Sequence, residues 1–170
     1  MEEKLMGDLL KTVGTIRLEF FDPKYKQQLE NYYLTEEHNQ FTSHPQNAIG
    51  LCEEEEGRAP VLILSDDQTA GFFVLHGWEG VKEFYGNQKA LLLRSYSVDS
   101  SFQGKGIAKH SLKLLPSFVK EHFPEINEII LAVNLGNLVA QHVYKSSGFV
   151  DKGIRAMGRK GEMYILHLEL

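Results

Sequence analysis

Cysteine is nearly absent: Cys52 is the only one in 170 residues. No disulfide can therefore form within the chain, and a reducing compartment suits it. Cys52 lies in AIGLCEEEEG, beside Glu53, Glu54, Glu55 and Glu56. Negative neighbours disfavour a thiolate, so the residue reads as packing rather than as a nucleophile. With no paired cysteine and no His-x-x-x-His spacing, there is no constellation for a metal. Long apolar runs are missing too, since none approaches the roughly 20 residues that span a bilayer. The opening MEEKLMGDLLKT mixes acidic with apolar residues and lacks the apolar stretch and cleavage site of a secretory signal. A cytoplasmic protein without a membrane partner is expected. Basic charge is not in excess: 18 Lys and Arg stand against 23 Asp and Glu, a net charge of -5. That argues against nucleic acid, whose phosphates need a basic footprint. It suits a cationic ligand, although a run of four glutamates is commonly just a solvated helix end.

What is present is the balance of a globular domain, with 42% hydrophobic and 24% charged residues. The length suits a single domain over 1-170. TIRLEFF from Thr15 alternates as a first strand, and Asp22-Pro23 opens a helix expected to run to about Leu34. Thr35 opens a short turn, and HPQNAIGLCEEEE from His44 reads as a further helix stopped by Gly57. Three strands follow in PVLILSD, TAGFFVLHG and ALLLRSYSV, the first two joined at Asp66-Asp67-Gln68. WEGVKEFYGNQK between the second and third is expected to be a loop. After Val98 the period becomes helical, with Ala108, Leu112, Leu115 and Val119 on one face and Pro116 expected to kink it. EIILAV, GNLVAQHVYKSSG and a closing pair, FVDKGIRAM and EMYILHLEL, complete an α/β mixed sheet of six to seven strands. An antiparallel meander comes first, then strands alternating with helices.

The most unusual stretch is Gln103-Gly104-Lys105-Gly106, directly ahead of the amphipathic helix. A strand feeding a glycine-rich turn and a helix makes an anion site from free amides and the positive end of the helix dipole. Two phosphate loops fail by spacing: Gly106 stands where a P-loop needs Ser or Thr, and Lys109 where the dinucleotide fingerprint needs glycine. What remains is Gln103-x-x-Gly106-x-Ala108. Downstream, Asn137, Ala140, Tyr144, Gly148 and Phe149 are spaced within NLGNLVAQHVYKSSGFV. Asn137 and Tyr144 lie about two turns, roughly 10 Å, apart along one helix. Together the two patterns resemble the coenzyme A-binding motif and the downstream signature of the GNAT superfamily of N-acetyltransferases.

The resemblance implies acetyl-CoA as co-substrate, no metal, and a splayed parallel strand pair that admits the pantetheine arm. It divides the domain into an acceptor-side half, about 15-89, and an acetyl-CoA half, about 90-170. Ser97 and Val98 would hold the arm, while amides from Gln103 through Gly104, Lys105, Gly106, Ile107, Ala108 and Lys109 cradle the diphosphate. Lys105 and Lys109 add charge, and Asn137 contacts the cofactor. Tyr144 matches the family's general acid at the departing sulfur. The base stays open among His76, Glu83, Tyr85 and Tyr96. A small-molecule primary amine, polyamine-like, is the expected acceptor, with Tyr32, Tyr33, Phe41, Trp78, Glu79 and Glu83 around it. Trp78, Phe84 and Tyr85 could equally pin a long loop. A protein or peptide acceptor and a non-catalytic CoA-binding sensor are the alternatives, and monomer and homodimer both stay open.

Overall fold

The computed structural model describes residues 13–170; the opening acidic and apolar stretch lies outside them. Strands β1 (Ile16–Phe20), β2 (Arg58–Ser65), β3 (Gln68–His76), β4 (Ala90–Val98), β5 (Glu128–Asn134), β6 (Val150–Gly158) and β7 (Gly161–Glu169) form one seven-stranded sheet, in the order β1-β2-β3-β4-β5-β7-β6. All neighbours are antiparallel except β4 and β5. Alternation sends Val61, Ile63, Phe73, Leu75, Leu91, Leu93, Ile129 and Leu131 to one face. Helices α5 (Ile107–His122) and α6 (Leu138–Ser146) cover that face, with Leu112, Leu115 and Val119 buried in the main core. The opposite face is covered in two parts. Leu29 of α1 (Lys26–Glu30) and Ala48 of α3 (Pro45–Glu54) pack on Leu62, Leu64, Phe72 and Val74. Val81 of α4 (Trp78–Val81) packs on Ala90, Leu92, Ile130 and Ile165.

Two sequence expectations are adjusted. The helix after Asp22 is a 3-10 turn, Pro23–Tyr25, followed by the single short α1, which stops at Asn31. Tyr32 to Leu34 belong to no helix or strand, and Tyr32 packs against the sheet instead. α2 (Glu36–Asn39) follows, with Thr35 Oγ1 capping the His38 amide at 3.3 Å. WEGV, expected within a loop, forms α4, because Trp78 and Val81 bury a common side on the sheet. Pro116, expected to kink the helix, lies inside α5, which runs through it as one 16-residue helix. Cys52 is half-buried on α3 and packs against the second core, and burial raises its pKa, as its reading as a packing residue requires.

The feature that positions the site is where β4 and β5 stop pairing. Their parallel rungs run only from Ala90↔Glu128 to Leu93↔Leu131. Beyond them β4 stays with β3 as far as Gly71↔Val98, and β5 stays with β7 as far as Asn134↔Met163. The register between β3 and β4 shifts there, between Phe72 and Val74, and Ser95 adopts φ 55. This is a bulge that bends β4 away from its parallel partner. Gly71 permits the close approach on the other side. A Cβ there would stand 2.7 Å from Ile63 Cδ1 and 2.9 Å from the Ser97 carbonyl oxygen. Gly71→Ala is therefore expected to cost about 1–3 kcal/mol by overpacking, read as a lower urea midpoint. An unchanged midpoint would show that β4 can yield at the bulge.

Candidate functional site

The turn after β4 is built from Asp99. Its Oδ1 accepts from the Ser101 amide at 2.8 Å and the Ser101 hydroxyl at 2.6 Å, and its Oδ2 accepts from the Tyr33 amide at 3.2 Å. A 3-10 turn, Ser100–Phe102, follows, and Phe102 is fully buried. Gly104 and Gly106 then take φ +73 and +76, and a Cβ on either would enter open space. The left-handed turn lets the chain start α5 without a side-chain cap. The first intrahelical bond of α5 is donated by the His110 amide to the Gly106 carbonyl at 3.0 Å, so the amides of Ile107, Ala108 and Lys109 have no acceptor within the helix and no side-chain cap. These free donors sit at a positive helix end, which makes an anion cradle of the kind a diphosphate fills.

The edge of β4 facing the gap can be read from its neighbours. The Asp99 amide donates to Ala70, and the Ser97 carbonyl abuts Gly71, so both point to β3. Alternation turns the amide and carbonyl of Val98 the other way, into the gap. That carbonyl accepts Gln103 Nε2 at 3.1 Å. The Ser97 side chain shares a 2.8 Å hydrogen bond with the buried Tyr32 phenol. Tyr32 is thus a strut under β4, while Tyr33 and Phe41 are exposed beside it.

Tyr144 rises from α6 on the core face of the sheet. Its ring meets Tyr96 at 6.0 Å and 72°, and Phe149 at 5.9 Å. Among the described residues its hydroxyl has no hydrogen-bond partner. Burial, then the nearby Tyr96, pushes its pKa well above the ordinary phenol range, so the proton stays on oxygen at neutral pH. Asn137 stands at the start of α6. Its Oδ1 accepts the Ala140 amide at 3.2 Å, so its oxygen is spent on capping.

Three of the four candidate bases are not poised for that role. The Tyr96 hydroxyl lies 2.5 Å from Ser111 Oγ, and both hydroxyls reach the Ala108 carbonyl, at 3.4 and 2.9 Å, while burial raises the Tyr96 pKa. It is a tie between β4 and α5. Tyr85 stacks edge-on against His167 at 4.7 Å, beside rungs that are still paired. His76 is buried, and its Nδ1 faces Arg94 Nη1 at 3.2 Å. A guanidinium can only donate, so Nδ1 accepts and the neutral ring carries its proton on Nε2, which leaves no lone pair for a substrate. Glu83 is exposed in the loop after α4. Glu79 is engaged by Lys82 at 2.5 Å, and Trp78 packs against the cluster under α4, the pinning role weighed for it.

An open cleft of about 520 Å³ is lined by Glu36, Glu37 and Gln40 of α2 and by Lys160 in the β6–β7 turn. It straddles the gap. The Thr35 amide, next to α2, donates to Ser100 Oγ at 3.2 Å just past β4, and Asn134 Nδ2 at the end of β5 donates to the Lys160 carbonyl at 2.9 Å. Arg94, Ser95 and Glu36 had no motif to mark them in the sequence. The only available signal was Asp99-Ser100-Ser101, a capping pattern that announces the turn.

A mixed sheet opened at one parallel pair, with free amides at one strand's end, is the fold of an acyl-CoA-dependent acetyltransferase. The chain belongs to the acetyltransferase (GNAT) family, whose model matches residues 24–149. It is 44% identical over 153 residues to a Bacillus subtilis (strain 168) protein named uncharacterized N-acetyltransferase YbbJ, covering 89% of this chain and 96% of that one. In fold it is similar to the aminoglycoside acetyltransferase AAC(6')-Ib in complex with coenzyme A (TM-score 0.71, 15% identity, covering 91% of this chain and 95% of that one). It is also similar to a spermidine N-acetyltransferase SpeG chimera from Vibrio cholerae and hSSAT (TM-score 0.65, 16% identity, 91% and 95% covered). The protein is thus an N-acetyltransferase of GNAT type.

Gly106→Val is expected to weaken CoA binding at least about tenfold, because the side chain would fill the open side of the cradle and oppose φ +76. Calorimetric titration of CoA, with circular dichroism as the folding check, reads this. Unaltered affinity would remove the diphosphate from this turn.

Proposed function

We propose that the protein transfers the acetyl group of acetyl-CoA to the primary amine of a small molecule by direct attack. The observation that carries this reading is the unpartnered Tyr144 phenol beneath the gap between β4 and β5. When bound, acetyl-CoA supplies a thioester, an acyl group already activated for attack. The amides of Gly104 through Lys109 would hold its diphosphate, with Lys105 and Lys109 adding charge. The Val98 edge would bind the pantetheine arm, and backbone amide donation there would stabilise the negative charge that develops on the carbonyl oxygen. Tyr144, protonated and free to donate, serves the departing sulfur. Proton removal from the amine we assign to water in the cleft rather than to a side chain.

The acceptor enters through the cleft between α2 and the β6–β7 turn. Glu36 and Glu37 on its rim favour a small cationic amine, on residues other than Glu79. We place residues of about 15–89 on the acceptor side, those of about 90–170 on the acetyl-CoA side, and the protein in the cytoplasm. Among the described residues, no helix is long and apolar enough to cross a membrane.

A thiol-release assay with acetyl-CoA against polyamines, amino acids, aminoglycosides and short peptides tests the proposal. Turnover on a small amine supports it, turnover on peptides alone moves the acceptor to protein, and CoA binding without any turnover marks a sensor. Tyr144→Phe is expected to lower kcat by about 10²–10⁴-fold with CoA affinity nearly unchanged, since the hydroxyl removed has no hydrogen-bond partner among the described residues. Equal loss of both would make Tyr144 a packing residue.

A further inference from the structure

Arg94 is the first residue of β4 beyond the last parallel rung, Leu93↔Leu131. Alternation puts it on the same face as Leu92, under α4 and the end of α3, where the acceptor side lies. It is half-buried and forms no salt bridge among the described residues. Its one hydrogen bond is to His76 Nδ1. The nearby carboxylates do not reach it. Glu55 is taken by Arg58, whose Nε lies 2.8 Å from Oε2, and Glu83 acts on Arg94 through space from an exposed position. Arg58 itself adds positive charge beside it. On the other side of the pair, His76 is 3% exposed and its Nε2 is buried without a hydrogen-bond partner.

This arrangement is costly for a structural role. Drawing a guanidinium partly from water without a carboxylate in contact sacrifices solvation that, among the described residues, only the His76 hydrogen bond and the more distant Glu83 and Glu55 offset. A buried Nε2–H donor left unsatisfied adds to the cost. Tethering by His76 fixes the guanidinium's orientation while leaving most of its N–H groups unspent. Arginine's planar fork matches a carboxylate through two parallel bonds. Its place at the mouth of the β4/β5 gap would set such a carboxylate next to the position of the reacting amine.

Resting on the acetyltransferase reading above, we propose that Arg94 binds a carboxylate carried by the acceptor. The substrate is then an amino acid: a cationic amine drawn in past Glu36 and Glu37, with its carboxylate on Arg94. Carboxylate-free polyamines would satisfy only the rim.

Matched pairs that differ by the carboxylate separate the two, namely ornithine with putrescine and lysine with cadaverine. Thiol release from acetyl-CoA is measured with the wild type, Arg94→Met and Arg94→Lys. Wild type is expected to prefer the amino acid of each pair by about ten- to hundredfold in kcat/KM, mainly through KM, as for loss of a charged hydrogen bond. In Arg94→Met the ratio should collapse to about one, and Arg94→Lys should restore part of it. CoA titration of each variant reports an intact fold. Equal or better turnover of the diamines by the wild type, or a preference that survives Arg94→Met, overturns the proposal. Should no amine turn over, thermal stabilisation of the CoA complex by ornithine and lysine decides it. A shift lost in Arg94→Met supports carboxylate binding, and no shift overturns it. Absence of turnover itself counts against the transferase reading, so the two failures are told apart.

Discussion

Four parallel rungs between β4 and β5, and no more, determine what this protein can do. In a continuous sheet each strand edge is satisfied by its neighbour. Here β4 is pulled toward β3 by the bulge at Ser95 and the close approach at Gly71, while β5 follows β7 to its end. The edge of β4 is left with backbone groups that face a gap. A thioester substrate with an amide-rich arm is the kind of molecule that such an edge can bind as though it were a strand.

Holding the gap open requires anchors that do not consume the donors meant for the ligand. Asp99 supplies the first, receiving Ser101 and the Tyr33 amide through its carboxylate, so the turn is tied down by a side chain and its later amides stay free. Tyr32 to Ser97 and Tyr96 to Ser111 brace β4 from its two faces. The tyrosines near the site therefore divide by whether their hydroxyls are occupied. Tyr32 and Tyr96 are hydrogen-bonded struts, whereas Tyr144, wedged between Tyr96 and Phe149, is held by its ring and leaves its oxygen free.

Legibility in the sequence followed the range of the interactions. Elements made by local periodicity were readable: β2 and β3 by alternation, α5 by its 3–4 spacing, the phosphate turn by two glycines ahead of a helix. Elements decided by distant partners were not. Tyr32 leaves the helical pattern because Ser97, far along the chain, needs its hydroxyl, and α4 forms because Trp78 and Val81 find Leu92 and Ile130. Residue type alone marks the candidate bases, and type carries no information on occupancy. His76 is spent on Arg94, a pairing that only the register of β3 with β4 creates. Asn137 had the right motif, and its oxygen was claimed by the helix it begins.

The charge pattern connects the missing base to the acceptor. Glu36 and Glu37 line the cleft, while Arg58 and Arg94 stand together at His76, so a cationic amine is attracted at the entrance and would meet positive potential beside Arg94. The effect of that potential is visible on His76, whose pKa is lowered by burial and then by Arg58 and Arg94. An ammonium placed beside Arg94 would be subject to the same two influences, and both favour its neutral form. A carboxylate on the acceptor would restrain this by neutralising Arg94, while burial and Arg58 would still act. Deprotonation then becomes a property of the site's electrostatics rather than of one residue. Under the proposed mechanism water would carry the proton out, which fits a site where the Tyr144 hydroxyl has no partner among the described residues and His76 is hydrogen-bonded to Arg94.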